Sequence, residues 1–277
     1  MRPGRPNDRL VGLTGTRFEQ VEWVGETGST NADLLARARA GASDGLVLVA
    51  DHQAAGRGRL GRSWEAPPGA SLLVSVLLRP DVPLARAHLL TVALGLAAVE
   101  ALEELAEVPA ALKWPNDVVV PDSQVGDGPI DRKLGGILAE SVVEDGSLAA
   151  VVVGMGLNVA WPPVLPAELA TIAVAANHVS DVALDRADLL VAILVRFERL
   201  LADLDDEAGT AELRRRYLER CRTIGRDVRV ELADGSFTGR ADDVTDEGHL
   251  VVTTPHGRRE VTAGDVVHLR PAGPTTT

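Results

Sequence analysis

Gly-Arg-Gly-Arg-Leu-Gly-Arg, residues 56–62, is the most informative segment of this chain. It lies within residues 53–70, a segment rich in glycine, arginine and proline that we call the glycine-arginine loop. Continuous apolar runs at 46–50 and 71–78 predict a buried strand on each side of the loop. Long loops inside compact domains are usually functional or disordered, and the clustered arginines lead us to expect that this loop forms part of a binding site.

The glycines of the loop fit the spacing G-x-G-x-x-G of dinucleotide-binding turns, with Gly61 in the third position. That motif requires a helix starting at the third glycine, but Pro67 and Pro68 leave no room for one before the next strand. Closely spaced arginines suit a loop that wraps an anion with forked guanidinium donors. The sequence therefore predicts an anion-binding loop, and a solvated basic surface loop is the alternative.

The composition limits the class of protein. The chain has 277 residues, of which 45% are apolar, and this is enough for one large core and a small appended domain. Cys221 is the single cysteine, and the N-terminus does not resemble a signal peptide, so we expect a cytoplasmic protein. The net charge of −12 disfavours nucleic acid, and no apolar run reaches the roughly 20 residues of a membrane span. We expect neither DNA nor a membrane as a partner, and the scattered histidines predict no zinc site.

Hydrophobic periodicity predicts an α+β fold with a mixed, largely antiparallel sheet. The short turn at residues 144–147 indicates antiparallel pairing of the two strands that it joins. The predicted elements are strands at 22–24, 46–50, 71–78, 111–120 (interrupted by Pro115), 134–143 and 148–153, and helices at 32–40, 84–107, 183–204 and 210–222.

The pattern changes near residue 224, where short strands separated by glycine turns begin. Five strands are predicted, at 228–232, 236–244, 250–253, 259–262 and 266–269, and they indicate a small β-barrel. The predicted units are a flexible N-terminal tail (1–18), a catalytic domain (19–223), the C-terminal barrel (224–270) and a flexible tail (271–277).

Four further motifs follow the order of one known family. They are Ser29-Thr30-Asn31, Lys113-Trp-Pro-Asn-Asp117, Lys133-Leu-Gly-Gly-Ile-Leu138 and Gly154-Met-Gly-Leu-Asn-Val159. Together with the glycine-arginine loop and Trp64, they make the chain resemble the biotin protein ligases. By motif the resemblance covers about residues 21–158, and it reaches the end if the barrel is counted. Two departures are a longer connection at Pro121 to Asp131 and a glycine at Gly135 where alanine is frequent.

The resemblance implies a fold like that of class II synthetases and biotin-lipoate ligases, with an SH3-like C-terminal barrel. It also implies the monofunctional type, because fewer than about 20 residues precede the first strand, too few for an N-terminal helix-turn-helix domain. In the implied reaction, biotin and ATP form biotinyl-5'-AMP, which acylates a lysine of a biotin carboxyl-carrier domain of an acyl-CoA carboxylase. Mg²⁺ would be carried with ATP, with no dedicated protein site identified. We expect a monomer or a weak homodimer.

The family positions imply three overlapping sets of site residues. Biotin's ureido ring needs short polar side chains, and the implied biotin set is Ser29, Thr30, Asn31, Gln53, Gly56, Arg57, Gly58, Arg59, Lys133 and Gly136. The implied ATP set is Arg57, Arg59, Arg62, Trp64, Lys113, Asn116, Lys133 and Asn158. The implied catalytic set is Lys133, Arg57, Arg59, Lys113 and Asp117, in which Lys133 lies between the biotin carboxylate and the α-phosphate.

Structural roles compete with several of these assignments. Ser, Thr and Asn at a helix start are often caps, so Thr30 could serve mainly in that role. Trp64 is either a platform for adenine or part of the core. Asn116 and Asn158 could be turn residues. Asp117 could accept the proton of the acceptor lysine, contact Mg²⁺ or make structural hydrogen bonds.

Three other functions stay open from the sequence. Lipoate ligation or octanoyl transfer also modifies a carrier lysine, but the arginine-rich loop and the barrel favour biotin. A biotin-sensing repressor, a non-enzymatic biotin-binding protein, would need the DNA-binding helices for which we see no room. A plain interaction module would leave the clustered arginines unexplained.

Overall fold

The computed structural model describes residues 9–121, 131–232, 234–262 and 264–269. The elements of the first part are β1 (Val21–Thr27), α1 (Thr30–Arg39), β2 (Val47–Gln53), β3 (Ser71–Leu78), α2 (His88–Ala106), β4 (Ala111–Lys113), β5 (Asp117–Val120), β6 (Arg132–Glu144), β7 (Ser147–Asn158), α3 (Arg186–Ala202) and α4 (Glu207–Arg220). The second part contains β8 (Asp227–Leu232), β9 (Gly235–Val244), β10 (Leu250–Thr254), β11 (Gly257–Val261) and β12 (Asp265–His268).

Strands β1 to β7 form one seven-stranded sheet with the order β1-β2-β3-β7-β6-β5-β4. β1 and β2 are parallel, and the other neighbours are antiparallel. The predicted α+β class with a mixed, largely antiparallel sheet is therefore confirmed. β4 and β5 are the two halves of the predicted strand 111–120, which Pro115 divides into a hairpin.

The sheet separates two apolar layers, because side chains on a strand alternate between its faces. Val47, Val49 and Val76 face a large core that contains α2 and α3. Leu48 and Leu77 face a smaller cluster under α1. α2 is buried over most of its circumference, as its apolar sequence predicts. The first turn of the predicted helix 84–107, Leu84–Arg86, is a separate 3-10 helix that precedes α2.

α1 begins where the sequence places a cap. The Ser29 side chain accepts a hydrogen bond from the Ala32 N–H, which satisfies one of the free donors at the helix start. Thr30 and Asn31 are then the first two residues of the helix and are buried against the sheet. This geometry directs two polar side chains toward one face of the sheet.

Strands β8 to β12 form a five-stranded antiparallel sheet with the order β11-β10-β9-β8-β12. The segment that leads into it pairs with the first sheet. Cys221 bridges Leu112 of β4 in parallel, and the Arg222 N–H donates to the Leu112 carbonyl at 2.7 Å. The Trp114 side chain then donates to the Gly248 carbonyl between β9 and β10 at 2.9 Å. Hydrogen bonds therefore join the first sheet to the segment that leads into the second sheet and to the turn between β9 and β10.

The predicted flexible tail 1–18 is wrong for its described part, residues 9–18. Leu10–Leu13 forms a 3-10 turn, and both Leu13 and Phe18 are fully buried. Phe18 stacks on Phe197 of α3 with ring centroids 5.6 Å apart. Ten residues are too few to show a helical period, so the sequence alone gives no sign of this packing.

Some predictions fall outside the described residues. They are the first eight residues of the N-terminal tail, most of the long connection Pro121 to Asp131 and the C-terminal tail 271–277. No helix among the described residues is long and apolar enough to cross a membrane.

Candidate active site

A cleft of about 300 Å³ lies between the glycine-arginine loop, the first sheet and the last strand of the second sheet. Most of the predicted site residues line it, namely Ser29, Thr30, Asn31, Gln53, Arg57, Gly58, Arg59, Arg62, Trp64, Lys113, Asn116, Asp117, Lys133 and Gly136. A second cavity of about 520 Å³ shares Trp64, Lys113, Asp117 and Lys133 with the first and also includes Asn158. The structure thus brings predicted residues from five separate segments into one continuous site.

The floor of the cleft is a row of residues without large side chains. Pairing across β6 and β7 places Gly136 opposite Gly156, and pairing across β3 and β7 places Ser75 opposite Gly154. Residues paired in this way point to the same face, which is the α1 side of the sheet. The strand register therefore leaves room above the sheet for the loop and for a ligand.

Trp64 packs against this floor. A Cβ atom at Gly156 would approach the Trp64 ring to 2.5 Å, and one at Gly136 would approach it to 3.4 Å. The Trp64 backbone N–H donates to the Gly56 carbonyl at 2.9 Å, and a Cβ at Gly56 would lie 2.3 Å from the Trp64 carbonyl oxygen. Glycine at these positions is therefore what lets the loop close onto the sheet.

Three arginines of the loop point to three different partners. Arg57 lies 3.9 Å from a carboxylate oxygen of Glu140, and Arg59 donates to the Asn116 side-chain oxygen at 3.3 Å. Arg62 pairs with Asp265 of the second sheet. Burial lowers the pKa of Arg59, while the charges of Asp265 and Asp117 raise it, and a guanidinium stays protonated in either case.

The two lysines of the chain, Lys113 and Lys133, both line the cleft. The Lys133 ammonium lies 2.7 Å from an oxygen of Asp117 and 5.5 Å from the Trp64 ring centroid. Burial lowers the pKa of Lys113, and the nearby carboxylates of Asp117 and Asp131 oppose that shift. Asp117 is therefore placed to orient Lys133, which is one of the roles that the sequence left open.

Asn158 is placed differently from the other predicted residues. It lies on the wall of the second cavity, but its amide donates to the Val174 carbonyl at 3.1 Å and its oxygen accepts from Ser71 at 3.2 Å. The side chain is buried and shapes the wall through these contacts. The role that the resemblance implies for it at the nucleotide stays a prediction.

Sequence reasoning missed Ser75, Glu140 and Asp265. Ser75 is fully buried on β3, between the side chains of Thr30 and Asn31. A serine inside the apolar run 71–78 is the signal that could have found it. Glu140 and Asp265 carry no such signal, because single acidic residues on strands are common at surfaces.

The described residues contain no group of three or more His, Cys, Asp or Glu side chains arranged to hold a metal ion. Cationic side chains outnumber carboxylates among the residues that line the cleft.

Two family models match the chain. Residues 27–158 match the biotin/lipoate A/B protein ligase family, and residues 223–269 match the biotin protein ligase C-terminal domain. Together with the mixed sheet, its cleft and the small second sheet, these matches define the class of biotin and lipoate protein ligases.

Individual relatives show to which family within this class the chain belongs. The chain is 40% identical to a biotin--[acetyl-CoA-carboxylase] ligase of Mycobacterium tuberculosis, over 95% of this chain and 94% of that protein. It is 31% identical to the bifunctional ligase/repressor BirA of Escherichia coli, over 81% of this chain and 66% of that protein. The chain belongs to the biotin protein ligase family.

A solved structure agrees with this assignment. The biotin protein ligase of Aquifex aeolicus in complex with biotin and ATP superimposes with a TM-score of 0.75 at 30% sequence identity. The match covers 92% of this chain and all of that chain.

Proposed function

We propose that this protein activates biotin with ATP to give biotinyl-5'-AMP and transfers the biotinyl group to a lysine of a biotin carboxyl-carrier domain. The proposal rests on one observation. The loop arginines and both lysines line one cleft, and the other residues of that cleft include many with small or polar side chains. Family membership supports it, as does the likeness to a ligase solved with biotin and ATP. The cytoplasm is the proposed location.

The first step brings the biotin carboxylate against the α-phosphate of ATP, and two anions repel each other. Lys133 and Arg57 reduce that repulsion and stabilise the charge that develops on the phosphate. Mg²⁺ carried with ATP would supply further neutralisation. Asp117 holds the Lys133 ammonium in place through its contact at 2.7 Å.

The two cavities divide the substrates between them. The cleft beside Thr30 and Gln53 offers short polar groups for the ureido ring, and it receives biotin. The second cavity has Trp64 and Asn158 on its walls, and it receives the nucleotide. Trp64 separates the cavities, so the reacting carboxylate and phosphate meet beside its ring and Lys133.

The second step needs a neutral lysine from the carrier, and a free lysine is only about 0.1% neutral at pH 7.4. Asp117 is the carboxylate nearest to Lys133 in the cleft, and it is the candidate to receive or direct that proton. The nitrogen of the carrier lysine then attacks the carbonyl carbon of the mixed anhydride. AMP leaves and an amide bond forms.

One assay tests the proposal directly. The purified protein is incubated with ATP, Mg²⁺ and a carrier domain, and biotin or lipoate is supplied in parallel reactions. We expect ATP-dependent incorporation of biotin alone. Incorporation of lipoate in its place would assign the protein to the other branch of the class, and no incorporation of either would reject a ligase function.

The glycine-arginine loop is expected to protect the adenylate from water. Its arginines repel one another until an anion joins them, and its glycines raise the entropy of its open form. Trypsin cleaves mobile chain after arginine, so cleavage within residues 56–62 should slow when biotin and ATP are both added. Cleavage elsewhere in the chain serves as the internal control. Equal rates at the loop with and without the two substrates would contradict a closing role.

The second sheet is expected to hold the loop through the contact between Asp265 and Arg62. Asp265→Arg places two cations side by side and should lower the rate of biotin-dependent pyrophosphate exchange about tenfold. Adding Arg62→Asp reverses both charges and should restore most of the rate. If the double variant is no better than the single one, the contact does not position the loop.

A further inference from the structure

A chain of polar side chains runs beneath the proposed biotin cleft. Its oxygen atoms belong to Gln53, Thr30, Ser75 and Asn31, and its far end is the carboxylate of Glu140. Ser75 is fully buried, and Thr30 and Asn31 are nearly so. Buried polar chains require a consistent direction for every hydrogen bond, so the positions of their hydrogens can be worked out.

The amide of Asn31 fixes one end of the chain. Its nitrogen lies 3.1 Å from the Leu138 carbonyl oxygen and 2.9 Å from a carboxylate oxygen of Glu140, and both of these atoms are acceptors. The nitrogen must therefore face them, which leaves the Asn31 oxygen to face Ser75 Oγ at 2.6 Å. Asn31 Oδ1 can only accept, so Ser75 is the donor.

The amide of Gln53 fixes the other end. Its oxygen accepts from the Thr30 backbone N–H at 2.8 Å. The Thr30 hydroxyl lies 2.9 Å from this oxygen and 2.7 Å from Ser75 Oγ, but it has one hydrogen to give. Ser75 has already given its hydrogen to Asn31, so the short contact between the two hydroxyls requires Thr30 to donate to Ser75.

The opposite direction fits the distances less well. If Ser75 donated to Thr30, the 2.6 Å contact between Ser75 and Asn31 would lack a hydrogen, although it is the shortest contact between these polar side chains. If the hydrogen bonds run from Thr30 through Ser75 to Asn31, only the 2.9 Å contact between the Thr30 hydroxyl and the Gln53 oxygen lacks a hydrogen. The Gln53 oxygen already accepts a hydrogen bond from the Thr30 backbone N–H. A chain of bonds in one direction also polarises each member, and here it ends on a carboxylate.

We infer that Ser75 and Glu140 are positioning residues that turn Thr30 into a hydrogen-bond acceptor facing the cleft. The Thr30 hydrogen is committed to Ser75, so its oxygen offers a lone pair to a ligand and cannot donate to one. The cleft therefore selects an N–H donor at this point. This inference rests on the proposed function, in which the donor is a ureido N–H of biotin.

Glu140 also connects this chain to the glycine-arginine loop. One of its carboxylate oxygens accepts from Asn31, and the other lies 3.9 Å from Arg57. The same carboxylate thus orients the polar chain under the cleft and contacts the loop above it. A change in its charge should alter ligand recognition at Thr30 without any direct contact between Glu140 and the ligand.

The test compares two ligands on the complete protein. One is biotin, and the other is its cyclic carbonate analogue, in which oxygen replaces both ureido N–H groups. Dissociation constants are measured by calorimetry and by competition. In Ser75→Ala we expect the constant for biotin to rise about tenfold and that for the carbonate to change less than twofold, because the carbonate has no hydrogen to donate.

Glu140→Gln is the second variant, because this partly exposed side chain can change without a buried defect. It keeps an acceptor for Asn31 but loses the charge, and we expect about a threefold rise in the constant for biotin. Glu144→Gln, at the exposed end of the same strand, is the matched control and should bind both ligands as the unmodified protein does.

An equal loss of affinity for biotin and for the carbonate in Ser75→Ala would overturn the inference and leave the proposed function intact. Unchanged affinity for biotin in both Ser75→Ala and Glu140→Gln would also overturn the inference and leave the proposed function intact. Failure of the unmodified protein to bind biotin would overturn the proposed function and the inference with it.

Discussion

Replacement of Lys133 by alanine is expected to lower biotin-dependent pyrophosphate exchange by about 10² or more. Lys133 lines both cavities and lies against Trp64 and Asp117, where we propose that the biotin carboxylate and the α-phosphate meet. Its loss leaves Asp117 without the cation at 2.7 Å and removes one positive charge from a site that must hold two anionic substrates. Exchange of labelled pyrophosphate into ATP reports this half-reaction alone, without any carrier protein.

The neighbouring residue on β6 provides the control for this prediction. Arg132 is also cationic, but it does not line either cavity, so Arg132→Ala should retain nearly full exchange activity. Thermal unfolding of both variants checks that the fold is preserved. Normal exchange in a folded Lys133→Ala variant would remove this residue from the proposed catalytic set.

Gly156→Ala is expected to lower the same exchange rate by about thirtyfold. The added Cβ would lie 2.5 Å from the Trp64 ring, so the indole must move away from the sheet. Overpacking of this kind costs about 2 kcal/mol, and here the displaced ring is the one that we propose lies between the two substrates. Calorimetric titration with ATP should show weaker binding, because the nucleotide loses its proposed platform.

A matched glycine separates this effect from a general effect of the substitution. Gly25 lies on β1 with no atom within 4 Å of an added Cβ, so Gly25→Ala should leave both exchange and ATP binding unchanged. If Gly156→Ala binds ATP normally, Trp64 is not the nucleotide platform and is better described as part of the core.

The sequence was sufficient for most of the architecture because the apolar periods are strong. The strand at 71–78 has the predicted bounds, and the hairpin at 144–147 produces the predicted antiparallel pair. Pro115 explains why the predicted strand 111–120 is two strands. These features depend on local residue types, which a single sequence displays directly.

The sequence predicted the site residues that belong to recognisable motifs, and it missed the others. Ser75 and Glu140 are brought together with Asn31 by the register of β3, β7 and β6, which residue types alone do not fix. Asp265 reaches Arg62 because the second sheet packs against the first, and 203 residues separate the two along the chain. The packed part of the N-terminal tail was missed for the same reason, since Phe18 is buried by a helix far away in sequence.

The pairing of Cys221 and Arg222 with Leu112 bears on how the protein behaves when it is shortened. β4 is the last strand of the seven-stranded sheet, and a bare outer strand can recruit strands from other molecules and start aggregation. Because the incoming segment occupies that edge, a chain cut before Cys221 would expose it, whereas one cut after Arg226 would keep it covered. Shortened forms that end at these two points should therefore differ in solubility as well as in activity.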